Sequence, residues 1–295
     1  MAKGVFTSKV ITSYDDLPEE KYHFPKTYLN QVKETVGDWI LYYEPRRIGG
    51  GLSETGGRQS YFATALVSKI EEDKELKDHY YAYVTDYLEF DTPVPFKVEN
   101  NYFEQKLVKD DGSTNKGAFG RSVRILPNIE YDQILNMGFG KYLDFNKSSD
   151  LEVHEETQEY ERRIVETLVK RPLRDRVFAS NIKNAYSNSC AMTGIKLVNI
   201  NSHYEVEAAH IRPVGKNGPD SIRNGLALSR TFHWMFDNGL ITISDEYCII
   251  TDKKLIPDQY LNLINKSGEL LLPNESKLLP HQSFLKYHRD HIFRG

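Results

Sequence analysis

Between Cys190 and Leu240 four short blocks follow one another, each built of residues that either do chemistry or allow close packing. They are Cys190-Ala191-Met192-Thr193-Gly194, Glu207-Ala208-Ala209-His210-Ile211, Asn224-Gly225-Leu226-Ala227-Leu228, and His233-Trp234-Met235-Phe236-Asp237-Asn238-Gly239-Leu240. The second block reads as a strand that delivers His210, the third as a loop that delivers Asn224, and the fourth as a short helix. His233 and Asp237 lie four apart, so on a helix they share a face and can converge on one cation. An imidazole beside a carboxylate suits Mg²⁺ or Mn²⁺, and Zn²⁺ is also accommodated. Histidine changes charge near neutral pH, which makes His210 a candidate to take the proton of a water attacking a phosphodiester.

The rest of the chain has to be fitted around these blocks. At 295 residues it has room for about two domains of roughly 100 to 200 residues each. Lys and Arg number 38 against 42 Asp and Glu, a net charge of -4, which excludes a protein that coats nucleic acid through overall charge but leaves room for a local basic groove. One such stretch runs from Glu161 to Lys183, with Arg162, Arg163, Lys170, Arg171, Arg174, Arg176 and Lys183 against Glu161, Glu166 and Asp175. A mean hydropathy of -0.56 and no long uncharged apolar run exclude a membrane helix. The N-terminus has no secretory pattern, so the expected compartment is the cytoplasm. Two cysteines, Cys190 and Cys248, make no disulfide framework; Cys190 is expected as a packed residue before a turn and Cys248 in a strand core.

The first half alternates short Tyr, Phe, Val and Ile runs with Gly, Pro and Asn, which predicts strands over 39–43, 61–70, 80–88 and 122–125. The Gly-rich loop Arg46 to Arg58 lacks the Gly-Lys-Ser/Thr ending of a phosphate-binding loop. Asn146 to Asp150 reads as a linker and Leu151 to Leu168 as a helix. The boundary therefore falls between 1–148 and 149–295.

The four blocks resemble the HNH endonucleases of ββα-metal fold, specifically the branch reading Cys-Ala-x-Thr-Gly, Glu-Ala-Ala-His-Ile, Asn-Gly-Leu-x-Leu and His-x-x-Phe-Asp-x-Gly-Leu. The resemblance covers about residues 185 to 245. It implies His210 as general base, Asn224 as the brace of the loop that holds base and metal, and His233 and Asp237 as metal ligands. Many such sites carry Asp or His just before the base, where this chain has Ala209; Glu207 or Glu205, on the same strand face, then supplies the further ligand, with Glu207 preferred. The structural zinc that some relatives hold by two Cys-x-x-Cys pairs is not expected. Arg212 and Arg223 are candidates to grip the scissile phosphate, while His203, His281, His288 and His291 read as structural.

The aromatic pattern of the first half looks like a PUA-like β-barrel of the EVE or SRA-like kind. That likeness implies a flipped, modified base such as 5-methylcytosine, stacked in an aromatic pocket. Trp39, Tyr42, Tyr43, Tyr61 and Phe62 would form its walls, Asp86 or Glu44 would bond the base edge, and Arg46, Arg47 and Arg58 would meet phosphates or the orphan base. The expected protein is α+β: a PUA-like barrel with flanking helices followed by a ββα-metal nuclease. Its expected activity is metal-dependent cleavage of double-stranded DNA carrying modified cytosine, as a homodimer with no membrane association. Reading of unmodified sequence, or binding without cutting, are the alternatives.

Overall fold

Residues with branched or aromatic side chains on both faces of one strand must be covered from both sides, and Trp39–Glu44 is such a strand, buried at all six positions. It lies inside a six-stranded mixed sheet. The strands are β1 (Lys3–Thr7), β2 (Lys21–Pro25), β3 (Trp39–Glu44), β4 (Ser60–Glu72), β5 (His79–Pro95) and, after two minor strands β6 (Lys97–Val98) and β7 (Asn101–Tyr102), β8 (Val123–Leu126). Their order is β2-β5-β4-β3-β1-β8, with β1 and β3 parallel and the other neighbours antiparallel. This is observed in a computed structural model that describes residues 2–9, 16–47, 55–143, 171–252 and 254–295, apart from the side chains of 141 and 143. The expected linker, the expected helix over 151–168 and the basic residues 162, 163 and 170 lie outside the described residues.

The sheet is curled. β2 and β1 stand four steps apart, roughly 19 Å if the sheet were flat at about 4.8 Å per strand. Yet the rings of Tyr22 on β2 and Phe6 on β1 have centroids 4.8 Å apart. Phe6, Tyr22, Phe24, Ile40, Tyr42 and Tyr87 fill the concave side of this half-barrel. Register shifts between β4 and β5 sharpen the curl, and Asp86 sits at one of them with φ 53, a left-handed conformation that Asp tolerates better than most residues. On the convex side α3 (Asn128–Gly138), which follows the short helices α1 (Leu29–Glu34) and α2 (Lys116–Phe119), brings Tyr131 to within 2.8 Å of the Thr64 hydroxyl. A short helix α4 (Gly140–Leu143) follows it.

Contacts divide the chain into two compact units, Met1–Arg174 and Asp175–Gly295. The division falls within α5 (Arg171–Ala185). The second unit contains an antiparallel pair, β9 (Glu207–His210) and β10 (Gly225–Leu228), followed at once by α6 (Arg230–Asp237). Gly225 lets α5 lie against this pair: a Cβ there would stand 2.2 Å from Ile182 Cδ1 and 2.9 Å from Phe178 Cζ. Gly239 ends α6 with φ 73, and its own Cβ would meet the Ile292 carbonyl oxygen at 2.1 Å.

A second hairpin, β11 (Ile241–Ile243) with β12 (Ile249–Thr251), a short helix α7 (Asp258–Leu261) and the terminal helix α8 (Gln282–His291) complete the unit. Cys190, Met192, Ala209, Leu226, Phe232, Phe236 and Phe284 belong to one hydrophobic core cluster of this unit. Cys248 is exposed, not in the core as expected, because it precedes β12 on a turn. Among the described residues no helix is long and apolar enough to cross a membrane.

Candidate active site

β9, the loop 211–224 and α6 bring the chemistry-bearing residues of the second unit together. Asn224 is fully buried and works as a clamp. Its Oδ1 accepts from the Arg212 amide at 2.8 Å, and its Nδ2 donates to the carbonyls of Arg212 and Pro219 at 3.0 and 2.9 Å. These bonds close the loop on the strand end that carries His210. Without an apolar replacement of the same shape, each would otherwise be an unmet buried polar group.

His210 is held on two sides. Its Nε2 is 2.9 Å from Oδ1 of Asp220, a carboxylate whose side chain is 1% exposed. Its ring lies against Phe178 of α5, with centroids 3.8 Å apart and planes 12° apart. An ionised carboxylate only accepts, so Nε2 carries the proton and Nδ1 keeps the lone pair. Among the described residues Nδ1 has no partner.

His233 has a carboxylate at each nitrogen, Glu207 Oε2 3.0 Å from Nδ1 and Asp237 Oδ2 3.3 Å from Nε2. Glu207 also meets Arg230 Nε at 3.1 Å, and Glu205 caps α6 by accepting the Arg230 amide at 2.9 Å. Glu205 thus serves the helix N-terminus, where an acidic group complements the free amides and the dipole. Loss of surrounding water holds the Asp237 carboxyl above its ordinary range; the His233 and His210 charges oppose that rise and Glu207 adds to it. His210, His233, Glu207 and Asp237 therefore stand within electrostatic reach of one another.

The donor set can be tested against a divalent cation. Among the described residues no three His, Cys, Asp or Glu side chains stand where together they could hold a metal ion. The pair that does converge is His233 Nε2 with Asp237 Oδ2, 3.3 Å apart. Two adjacent ligands of one ion, with bonds near 2.1 Å, lie roughly 3.0 to 3.4 Å from each other. With its proton on Nδ1 toward Glu207, His233 can offer Nε2 beside the Asp237 carboxylate as two ligands of one ion, so this pair fits a metal. Glu207 lies on the far nitrogen, where an outer carboxylate orients a ligating imidazole.

Residues 190–244 match the family described as HNH endonuclease. The second unit carries an HNH endonuclease domain. No curated protein matches the chain. Among solved structures, one described as the modification-dependent TagI restriction endonuclease aligns at 16% identity and TM-score 0.30, covering 98% of this chain and 81% of that one. A type IV phosphorothioation-dependent restriction endonuclease, ScoMcrA, aligns at 10% identity and TM-score 0.20 over 79% of this chain. The chain spans 52% of that second protein. Both scores are too low for either likeness to bear on fold or activity.

The remaining expected site residues are dispersed. In the HNH domain, Arg212 folds inward: its guanidinium stacks over Phe284 at 5.1 Å and its Nη2 donates to the Asn217 carbonyl at 2.6 Å. Arg223 is half-buried in the turn Ile222–Asn224, and its carbonyl accepts the His281 amide. In the first unit, alternation along the strands puts Tyr42 and Phe62 on one face, stacked 5.9 Å apart, and Tyr43 and Tyr61 on the other, 5.2 Å apart. The structure does not gather these four rings into one pocket. Trp39 shares the side of Tyr43 by strand alternation and is buried. Asp86 pairs with Arg174 at 2.8 Å. Arg58 is committed to Glu44, Nε to Oε2 2.5 Å, and lies over the Phe62 ring. Arg46 and Arg47 are exposed.

Sequence reasoning passed over Asp220 and Phe178. Asp220 stands in Gly218-Pro219-Asp220-Ser221, a run that reads as turn chemistry, and only the folded loop brings it to His210. Phe178 had no signal beyond its place on an apolar helix face.

Proposed function

We propose that the chain is a metal-dependent DNA endonuclease of a restriction system, directed to DNA with modified cytosine. The observation that supports it most is the placement of His210, Asn224, His233 and Asp237 on one strand–loop–strand–helix frame. His210 Nδ1 takes the proton of the attacking water as its oxygen bonds to phosphorus and one phosphorus–oxygen ester bond breaks. Asn224 fixes the loop that aims it. His233 and Asp237 hold the cation, and Glu207, at Nδ1 of His233, orients that ligand. A divalent ion, Mg²⁺ or Mn²⁺ with Zn²⁺ also compatible, supplies neutralisation of the charge that grows on the phosphate and the leaving oxygen.

Recognition in this reading belongs to the first unit, a PUA-like reader whose partly buried Phe62 and exposed Arg46 and Arg47 offer ring surface and phosphate contacts to double-stranded DNA, with the buried Tyr42 ring as backing for Phe62. One HNH core cuts one strand, so a homodimer makes the double-strand break. The test is cleavage of matched DNAs, bare and carrying methylated, hydroxymethylated or glucosylated cytosine, with Mg²⁺ or Mn²⁺ and a His210→Ala control. Cutting confined to modified DNA and absent from the variant is expected. Equal cutting of every substrate overturns the modified-base reading, and metal-independent binding without cutting overturns the catalytic one.

A further inference from the structure

Among the described residues of the HNH unit Asp220 is the one carboxylate that is buried as a whole residue, at 2% exposure. A carboxylate loses much hydration free energy in such a place and persists there only when donors replace the water. One of those donors is the imidazole of His210, 2.9 Å away, and the contact spans ten residues of loop. The same loop is pinned next to Asp220 by Asn224, whose Nδ2 donates to the Pro219 carbonyl at 2.9 Å. A chain of contacts therefore runs from Asn224 through Pro219 and Asp220 to the ring of His210. Phe178 fixes the plane of that ring by stacking on it at 3.8 Å.

We propose that Asp220 is a positioning residue for phosphodiester hydrolysis: it locks His210 in the tautomer with the proton on Nε2, so that Nδ1 is the atom that accepts the proton of water. This rests on the nuclease reading given above. A neutral imidazole exchanges its proton between two nitrogens, and a histidine with its lone pair turned toward a carboxylate would be both repelled and idle as a base. The buried carboxylate removes that form. Asn224 then sets the backbone of the base and Asp220 sets its ring, two separate duties that a single clamp does not perform.

The test uses the full chain labelled with ¹⁵N at histidine, with the His210 signals among the nine histidines assigned by their loss in His210→Gln. Wild type is expected to show His210 in the Nε2–H form. Asp220→Asn, which keeps the shape but can donate as well as accept, is expected to show both tautomers. Its single-turnover cleavage rate should fall by roughly 10²-fold or more while KM and the melting temperature stay near wild type. Asp220→Ala should lose the same rate and some stability. An unchanged tautomer in Asp220→Asn, or cleavage within about twofold of wild type, overturns the proposal, as does a rate loss matched by a collapse in melting temperature with the tautomer intact. Persistent cleavage by His210→Ala instead sinks the assignment of the base, which the tautomer measurement does not depend on, so the two failures are distinguishable.

Discussion

Each unit buries a strongly bonded carboxylate, Glu104 in the first and Asp220 in the second, and these two are used to opposite ends. In the first unit Glu104 grips Arg124 through two parallel bonds of 2.7 and 2.8 Å and accepts the Tyr61 hydroxyl at 2.7 Å. The two charged side chains are 3% and 5% exposed, and the guanidinium lies over the Tyr43 ring. In the HNH unit Asp220 is as enclosed, but its imidazole partner remains 16% exposed and has a second nitrogen with no partner among the described residues. One pair turns its bonds inward; the other is matched on one side and open on the other. Burial of charge alone thus says little about function. The informative quantity is which atom of a firmly held group is left to act.

The comparison breaks first at Arg124. Removing one member of an enclosed ion pair leaves a desolvated charge, so Arg124→Met should destabilise the first unit by about 3 to 5 kcal/mol. The double variant with Glu104→Gln should recover much of that loss, since both charges are then gone. Urea unfolding followed by fluorescence of Trp39, which is buried in this unit, measures it. A loss below about 1 kcal/mol for the single variant would mean that the pair is open to water and that the contrast with Asp220 is not real.

His288 carries the comparison into the HNH unit as a histidine that is fully matched. Its Nδ1 is 2.9 Å from the Thr242 hydroxyl, its Nε2 is 3.1 Å from the Phe236 carbonyl, and it stacks on the Phe236 ring at 3.7 Å. The carbonyl only accepts, so Nε2 holds the proton, Nδ1 accepts from Thr242, and the neutral ring satisfies everything. Burial pushes this histidine down to about 4 from 6.5. The unfolded chain therefore binds the proton first as pH falls, and stability is lost progressively between about pH 6.5 and 4 and is flat below. The full effect is about 3 kcal/mol. Denaturation at pH 7, 5.5 and 4 should show a steeper decline for wild type than for His288→Gln, and parallel curves would sink the assignment.

How much of this was legible beforehand differs between the units for physical reasons. Strands expected over 39–43, 61–70 and 80–88 are found at 39–44, 60–72 and 79–95, because branched and aromatic runs suit a pleated, covered surface. Lys3–Thr7 and Lys21–Pro25 were not expected, since five residues with lysine and proline at their ends carry little periodic signal. Their place is fixed by long-range pairing: β1 takes the parallel position beside β3. In the HNH unit the spacing of His210, Asn224, His233 and Asp237 located β9, the loop and α6, because ligands on one helix turn and a base on a neighbouring strand leave few alternatives. Asp220 stayed hidden because no periodicity records a contact closed by a loop. The expected base pocket shows the converse. Tyr42 with Tyr43, and Tyr61 with Phe62, are neighbours in sequence, and a period of two sends neighbours in a strand to opposite faces.

The smallest effect tests that division of faces. The hydroxyls of Tyr42 and Tyr43 are buried with no hydrogen-bond partner among the described residues, and burial holds both phenols above their ordinary range. Tyr61, one strand over, donates instead to Glu104. Tyr61→Phe should therefore cost about 1.5 to 3 kcal/mol, the worth of a bond to a charged acceptor, whereas Tyr43→Phe should be neutral or stabilising by up to about 1 kcal/mol. Tyr42→Phe belongs with Tyr43→Phe in stability, since both lose only a buried, unmatched hydroxyl. The ring of that face that is only partly buried is Phe62, stacked on Tyr42. With a base received on that face, Phe62→Leu should lose more of the preference for modified DNA than Tyr43→Phe does, and equal preference in both variants would take Phe62 out of the recognition surface and leave its ring as packing for the half-barrel.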